Sequence, residues 1–109
     1  MNIKLNNHYI NELLEYEKVQ NGLYIVATPI GNLGDITLRS LKILSCVDLI
    51  LCEDTRISKK LTNKYGIKTQ LKPFHKFNST NFIPLIIKKL QAGLSIAIIS
   101  DAGTPIISD

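Results

Sequence analysis

Four short apolar runs alternate with segments of helical period, and this alternation narrows the fold more than any other feature of the chain. The runs cover residues 23–27 (Leu-Tyr-Ile-Val-Ala), 47–52 (Val-Asp-Leu-Ile-Leu-Cys), 67–77 and 94–100 (Leu-Ser-Ile-Ala-Ile-Ile-Ser). The first, β-branched and short, has the pattern of a strand buried on both faces. The third is less apolar, and Pro73 places it near a sheet edge. Between them the spacing predicts helices over residues 35–44, 56–64 and 81–91. The first is capped by Asp35 or Thr37, with Ile36, Leu38, Leu41, Ile43 and Leu44 inward. In the second, Ile57, Leu61 and Tyr65 fall at helical spacing, with Gly66 at the stop. The third is capped by Ser79 or Thr80 and carries Ile83, Ile86, Ile87 and Leu90 inward, with Pro84 in its first turn. Strand, helix, strand, helix, strand, helix, strand calls for a mostly parallel sheet with helices on both faces and right-handed crossovers. The fold class is α/β, a three-layer α/β/α sandwich.

Composition excludes several classes. At 109 residues, 45% hydrophobic and 20% charged, the chain has enough apolar matter for a core and too little charge for a disordered tail. A net charge of +4 is compatible with an RNA partner but comes without an arginine cluster or basic-aromatic stripe, so the lysines read as solvated faces. Cys46 and Cys52 form neither a CxxC pair nor a metal cluster and read as buried thiols of a reducing compartment. Residues 1–21 form a polar leader with one amphipathic stripe (Ile10, Leu13, Leu14) and no secretory h-region. No apolar run approaches a membrane span. The expected setting is the cytoplasm, with no membrane partner and no metal.

Chemistry in an open parallel sheet collects outside the carboxyl ends of its strands. Three turns fall there: residues 28–35 with Pro29, Gly31 and Gly34; Glu53-Asp54-Thr55-Arg56; and residues 100–105 with Gly103. Glycines in such turns let backbone approach a ligand, and a carboxylate just past the second strand suits ribose hydroxyls. The turns match neither G-x-G-x-x-G nor the phosphate-binding G-x-x-x-x-G-K-[ST] loop. No nucleophile sits with a base: His75 has no serine or cysteine partner in a known pattern, and His8 belongs to the leader. An enzyme built this way works by positioning, with reactivity supplied by an activated cofactor.

Three blocks, Thr-Pro-Ile-Gly-Asn-Leu-Gly-Asp-Ile-Thr-Leu-Arg at 28–39, Cys-Glu-Asp-Thr-Arg at 52–56 and Ser-Asp-Ala-Gly-Thr-Pro-Ile-Ile-Ser-Asp at 100–109, resemble the signature of the ribosomal RNA small subunit methyltransferase I family, within the tetrapyrrole methylase superfamily. His75 and Asn78 look like the same family's pattern. The resemblance implies S-adenosyl-L-methionine as cofactor and the ribose 2′-hydroxyl of a cytidine in 16S rRNA as methyl acceptor. It implies that Pro29, Gly31, Asn32, Gly34, Asp35, Ser100, Asp101, Ala102, Gly103, Thr104 and Pro105 bind the cofactor, and that Thr55, Arg56 and Asn78 position substrate. It assigns no general base; Glu53, Asp54 and His75 are the candidates. Residues 22–109 correspond to the cofactor-binding N-terminal domain, and the family's second domain is absent, so a homodimer or a complementing C-terminal chain is the expected partner. The alternatives are a non-catalytic remnant or ligand-binding half-domain, and a tetrapyrrole or diphthamide-type methyltransferase.

Overall fold

A computed structural model describes residues 19–29, 32–74 and 79–101. In chain order these form β1 (Gly22–Thr28), a 3-10 turn (Leu33–Asp35), α1 (Leu38–Cys46), β2 (Leu49–Cys52), α2 (Thr55–Tyr65), β3 (Leu71–Pro73), α3 (Ser79–Gln91) and β4 (Ser95–Asp101). The described strands are all parallel, in the order β1-β4-β2-β3. This is the expected α/β architecture, with β4 inserted between the first two strands.

The order explains the layers. Right-handed crossovers from β1 to β2 and from β2 to β3 run in one direction, so α1 and α2 share a face; the return from β3 to β4 puts α3 on the other. The two cores agree. Leu41, Ile43 and Leu44 of α1 and Leu61 of α2 pack with Val26, Ile50, Cys52, Ala97 and Ile99. Ile86 of α3, with Phe82 and Leu90, packs on Leu49, Leu51, Ile96, Ile98 and Phe74. Alternate residues of β2 and β4 thus feed opposite cores, which is why these two strands are apolar at almost every position.

Local chemistry sets the ends of the elements. Thr37, not Asp35, caps α1, its Oγ1 accepting from the Ser40 amide at 3.1 Å. Asp54 caps α2, and Gly66 ends it with φ +69°, a left-handed conformation that any Cβ would strain. Below the sheet, Asp48 Oδ2 accepts from the Ser95 amide and hydroxyl at 2.8 and 3.1 Å, joining the amino ends of β2 and β4.

Several inward assignments need correcting. Among the described strands β1 lies at the edge, and it is not buried on both faces: Leu23 and Ile25 are 41% and 45% exposed. Leu38, Ile83 and Ile87 are exposed as well, as is Ile57 at its helical spacing. Their places are taken by Ser58 and Thr62 in α2 and by Phe82 in α3. A helix lying across a small sheet buries a stripe narrower than its apolar residues suggest. Helix α3 also begins at Ser79, which moves Pro84 from the first turn into the helix interior. Of the third run, Leu71–Pro73 is strand and residues 67–70 are not, with residues 75–77 outside the described residues; the strand lies at the edge that Pro73 indicates. Cys52 is buried, its thiol donating to the Lys72 carbonyl at 3.8 Å, whereas Cys46 is only half-buried; the two form no disulfide. Among the described residues, no helix is long and apolar enough to cross a membrane, and no group of His, Cys, Asp and Glu could hold a metal ion. The leader over residues 1–18 lies outside the described residues.

Candidate functional site

Because every described strand is parallel, all carboxyl ends open on one side. β1 and β4 finish together, with Ala27 opposite Ser100 and Thr28 opposite Asp101. Leu51 pairs with Ile98, and β2 ends at Cys52, so β4 continues past it through Ser100 and Asp101. The sheet therefore has a step: β1 and β4 project, and the Glu53-Asp54 turn leaves β2 beside them.

The turn after β1 forms one side of this step. Asn32 Oδ1 accepts from the Gly34 amide at 2.9 Å, and the Asp35 amide donates to the Asn32 carbonyl at 3.1 Å. A Cβ at position 34 would stand 3.2 Å from Asn32 Oδ1, so glycine suits the cap. Asn32, Gly34 and Asp35 are exposed, and Pro29 half-exposed. A tether absent from the sequence expectations holds this turn: the Tyr65 hydroxyl, from the last residue of α2, donates to the Leu33 carbonyl at 2.8 Å. The sequence places Tyr65 only at the helical spacing of α2. Its helix-terminal position, with an apolar ring and a polar tip, is the signal that could have pointed to the tether.

The turn after β2 is built around Asp54. Its Oδ1 accepts from the Arg56 amide at 2.9 Å, and the carboxylate takes Arg56 Nε and Nη2 at 3.3 and 3.2 Å. The Arg56 guanidinium first, then its amide, hold the Asp54 carboxyl below the ordinary carboxylate range, and the pair raises Arg56 in turn. A carboxylate so held is a cap and a clasp, and a poor proton acceptor. Glu53 is exposed on the same edge, and Thr55, half-buried, opens the helix.

Ser100 lies at the foot of the step. It is 2% exposed, and its Oγ has no hydrogen-bond partner among the described residues. A buried hydroxyl left unpaired costs about 1–3 kcal/mol, and Ser100 stands at the carboxyl end of β4, the side on which open parallel sheets take ligands. The structure thus brings Pro29, Asn32, Gly34, Asp35, Glu53, Asp54, Thr55, Arg56, Ser100 and the backbone of Asp101 to one edge. Gly31, His75, Asn78, Ala102, Gly103, Thr104 and Pro105 lie outside the described residues.

Residues 22–109 match the family of tetrapyrrole (corrin/porphyrin) methylases. Among curated relatives, the chain is 50% identical over 91 residues to ribosomal RNA small subunit methyltransferase I of Mesorhizobium japonicum, covering 84% of this chain and 31% of that one. It is 53% identical over 87 residues to the protein of the same name from Mycoplasmopsis pulmonis, covering 80% and 39%. The like-named protein of Pasteurella multocida is 58% identical over 87 residues, covering 80% and 31%. The chain spans about a third of the length of these relatives.

Proposed function

The chain belongs to the tetrapyrrole (corrin/porphyrin) methylase family, and on that premise we propose that its carboxyl-edge step is one wall of an S-adenosyl-L-methionine cleft in a methyltransferase acting on small-subunit ribosomal RNA. The curated relatives carry that substrate in their names. The observation that carries the reading is the buried Ser100 hydroxyl, without a partner among the described residues, at the carboxyl end of β4. An amino-acid and nucleoside ligand offers groups that can complete such a hydroxyl.

Residues Pro29, Asn32, Gly34, Asp35 and Ser100 would hold the cofactor, and the 101–105 turn, with Gly31, would complete the wall. Bound there, the cofactor supplies a methyl group on a cationic sulfur. The chain's own task is to orient and to shield. The Asn32 cap and the Tyr65 tether fix the first turn, so little ordering remains when a ligand arrives. The Asp54–Arg56 clasp fixes the second turn and leaves the outer edge of the guanidinium exposed for substrate. With Asp54 committed to its cap, Glu53 is the described candidate for accepting a ribose hydroxyl proton, and His75 the candidate outside the described residues.

Isothermal titration with S-adenosyl-L-methionine, paired with a map of 2′-O-methylation of 16S rRNA in cells lacking the gene, tests the proposal. The expected results are one-to-one cofactor binding and loss of a single ribose methylation. An unchanged rRNA map would contradict the substrate, and absence of binding, alone or with a complementing C-terminal chain, would contradict the cleft.

A further inference from the structure

We propose that the groove between α2 and the β3 edge is an RNA-backbone docking channel leading into the carboxyl-edge site. The inference rests on the methyltransferase reading for its choice of polyanion, but apart from Thr55 and Arg56 its residues lie outside the cofactor wall. The first is charge. From residue 55 to residue 74 the chain carries Arg56, Lys59, Lys60, Lys64, Lys68 and Lys72, six of its 13 Lys and Arg, and no Asp or Glu. Spread along the sequence these read as ordinary solvated lysines. Folded, they all belong to one helix, one edge strand and the loop that joins them.

The second observation is shape. A groove of about 600 Å³ runs between α2 and the 67–73 segment. That volume falls within the range of small-ligand clefts, about 300–1,000 Å³, and is far larger than one ion needs. Lys59 and Lys68 line it, interleaved with Thr55, Asn63, Thr69 and Gln70. Lysine ammonium groups neutralise phosphates, while amide and hydroxyl side chains can both donate to and accept from phosphate and ribose oxygens. The floor is closed by Ile67 and Thr62, both buried, and Thr69 anchors the loop by donating to the Leu44 carbonyl at 2.8 Å.

The third observation is direction. Thr55 follows the Asp54 cap directly, and Pro73 lies opposite Cys52 at the carboxyl end of β2. The groove therefore opens on the edge that holds Glu53, Arg56 and Ser100. A strand laid along it with its phosphates on Lys59 and Lys68 would deliver its next nucleotide to that edge. Lys88 and Lys89, by contrast, belong to α3 on the other face of the sheet.

The test compares two double variants that remove equal charge. Lys59→Ala/Lys68→Ala empties the groove; Lys88→Ala/Lys89→Ala removes two lysines from the far face. Binding of a short fluorescein-labelled single-stranded RNA is followed by anisotropy over about 50–200 mM salt, where each lost phosphate contact lowers the slope of log K against log salt by about 0.7. The groove variant is expected to bind more weakly and to lose about 1.4 from the slope, two contacts at that increment, while the α3 variant keeps the parent slope. Equal losses in both variants, or none in the groove variant, would overturn the channel. Competition by poly-glutamate as effective as by unlabelled RNA would overturn the choice of RNA over an acidic peptide. Cofactor titration on the same proteins separates the two readings. If none of them binds S-adenosyl-L-methionine while RNA binding falls only in the groove variant, the methyltransferase reading fails and the channel stands.

Discussion

Replacing Tyr65 by Phe removes one oxygen from the protein and isolates what holds the turn beside the candidate cofactor wall. The hydroxyl donates to the Leu33 carbonyl at 2.8 Å, while the ring packs against the core shared by α1 and α2. Phenylalanine keeps the ring contacts and loses only the hydrogen bond, for which the net contribution is about 1 kcal/mol. If that bond closes the 32–35 turn, its loss raises the population of open turn about fivefold, the factor equivalent to about 1 kcal/mol. Two amides report it directly: that of Gly34, bonded to Asn32 Oδ1, and that of Asp35, bonded to the Asn32 carbonyl. Their hydrogen exchange is expected to quicken about fivefold in Tyr65→Phe, with amides of β2 and β4 changing only by the global stability loss. Cofactor affinity should fall by no more than the same factor, because only the closed fraction binds. Unchanged exchange at Gly34 and Asp35 would refute the tether, whatever the effect on global stability.

Phe74 has no exposed surface and meets Phe82 edge-on with ring centroids 6.0 Å apart; Phe74→Ala should cost about 3–5 kcal/mol in urea unfolding, and a loss below about 1 kcal/mol would contradict its place in the α3 core. Gly66 has φ +69° and nothing within 4 Å of where a Cβ would stand, so any cost is backbone strain. Gly66→Ala should lose about 1 kcal/mol, Gly66→Asn less, and equal losses would point to a different cause. Asp54 titrates below the ordinary carboxylate range because Arg56 bonds its charged form. Its stabilising effect is therefore complete above the unfolded carboxylate value and is lost as pH falls through the lower, folded one. The urea midpoint of the parent protein should drop more over that acid window than that of Asp54→Asn, which keeps a capping oxygen but does not titrate there; parallel profiles would contradict the clasp.

The fold was legible because its signals are local and repeated. Thr37, Asp54 and Gly66 mark helix ends by their own chemistry, and the apolar runs of β2 and β4 need burial on two faces. What stayed hidden depends on sheet order. Leu23 and Ile25 have the composition of a central strand, but among the described strands β1 pairs only with β4 and stands at the end of the sheet. Ile57 and Ile83 fit the helical period, yet the stripe each helix buries is set by the sheet beneath it. The site divides in the same way. Glycine turns and the Glu53–Arg56 block could be read along the chain as one edge. The Tyr65 tether spans 32 residues and leaves no contiguous pattern, and the basic run over 55–74, though contiguous, does not show the groove that Lys59 and Lys68 line.

The central claim is that the step formed by the 32–35 turn, the 53–56 turn and the end of β4 is the cofactor wall. Amide chemical shifts of the protein titrated with S-adenosyl-L-methionine test it most directly. The account predicts that the largest changes fall on Asn32, Gly34, Asp35, Glu53, Arg56, Ser100 and Asp101, with α3 and the amino ends of the strands unmoved. Changes centred elsewhere, or none at saturating cofactor, would contradict it.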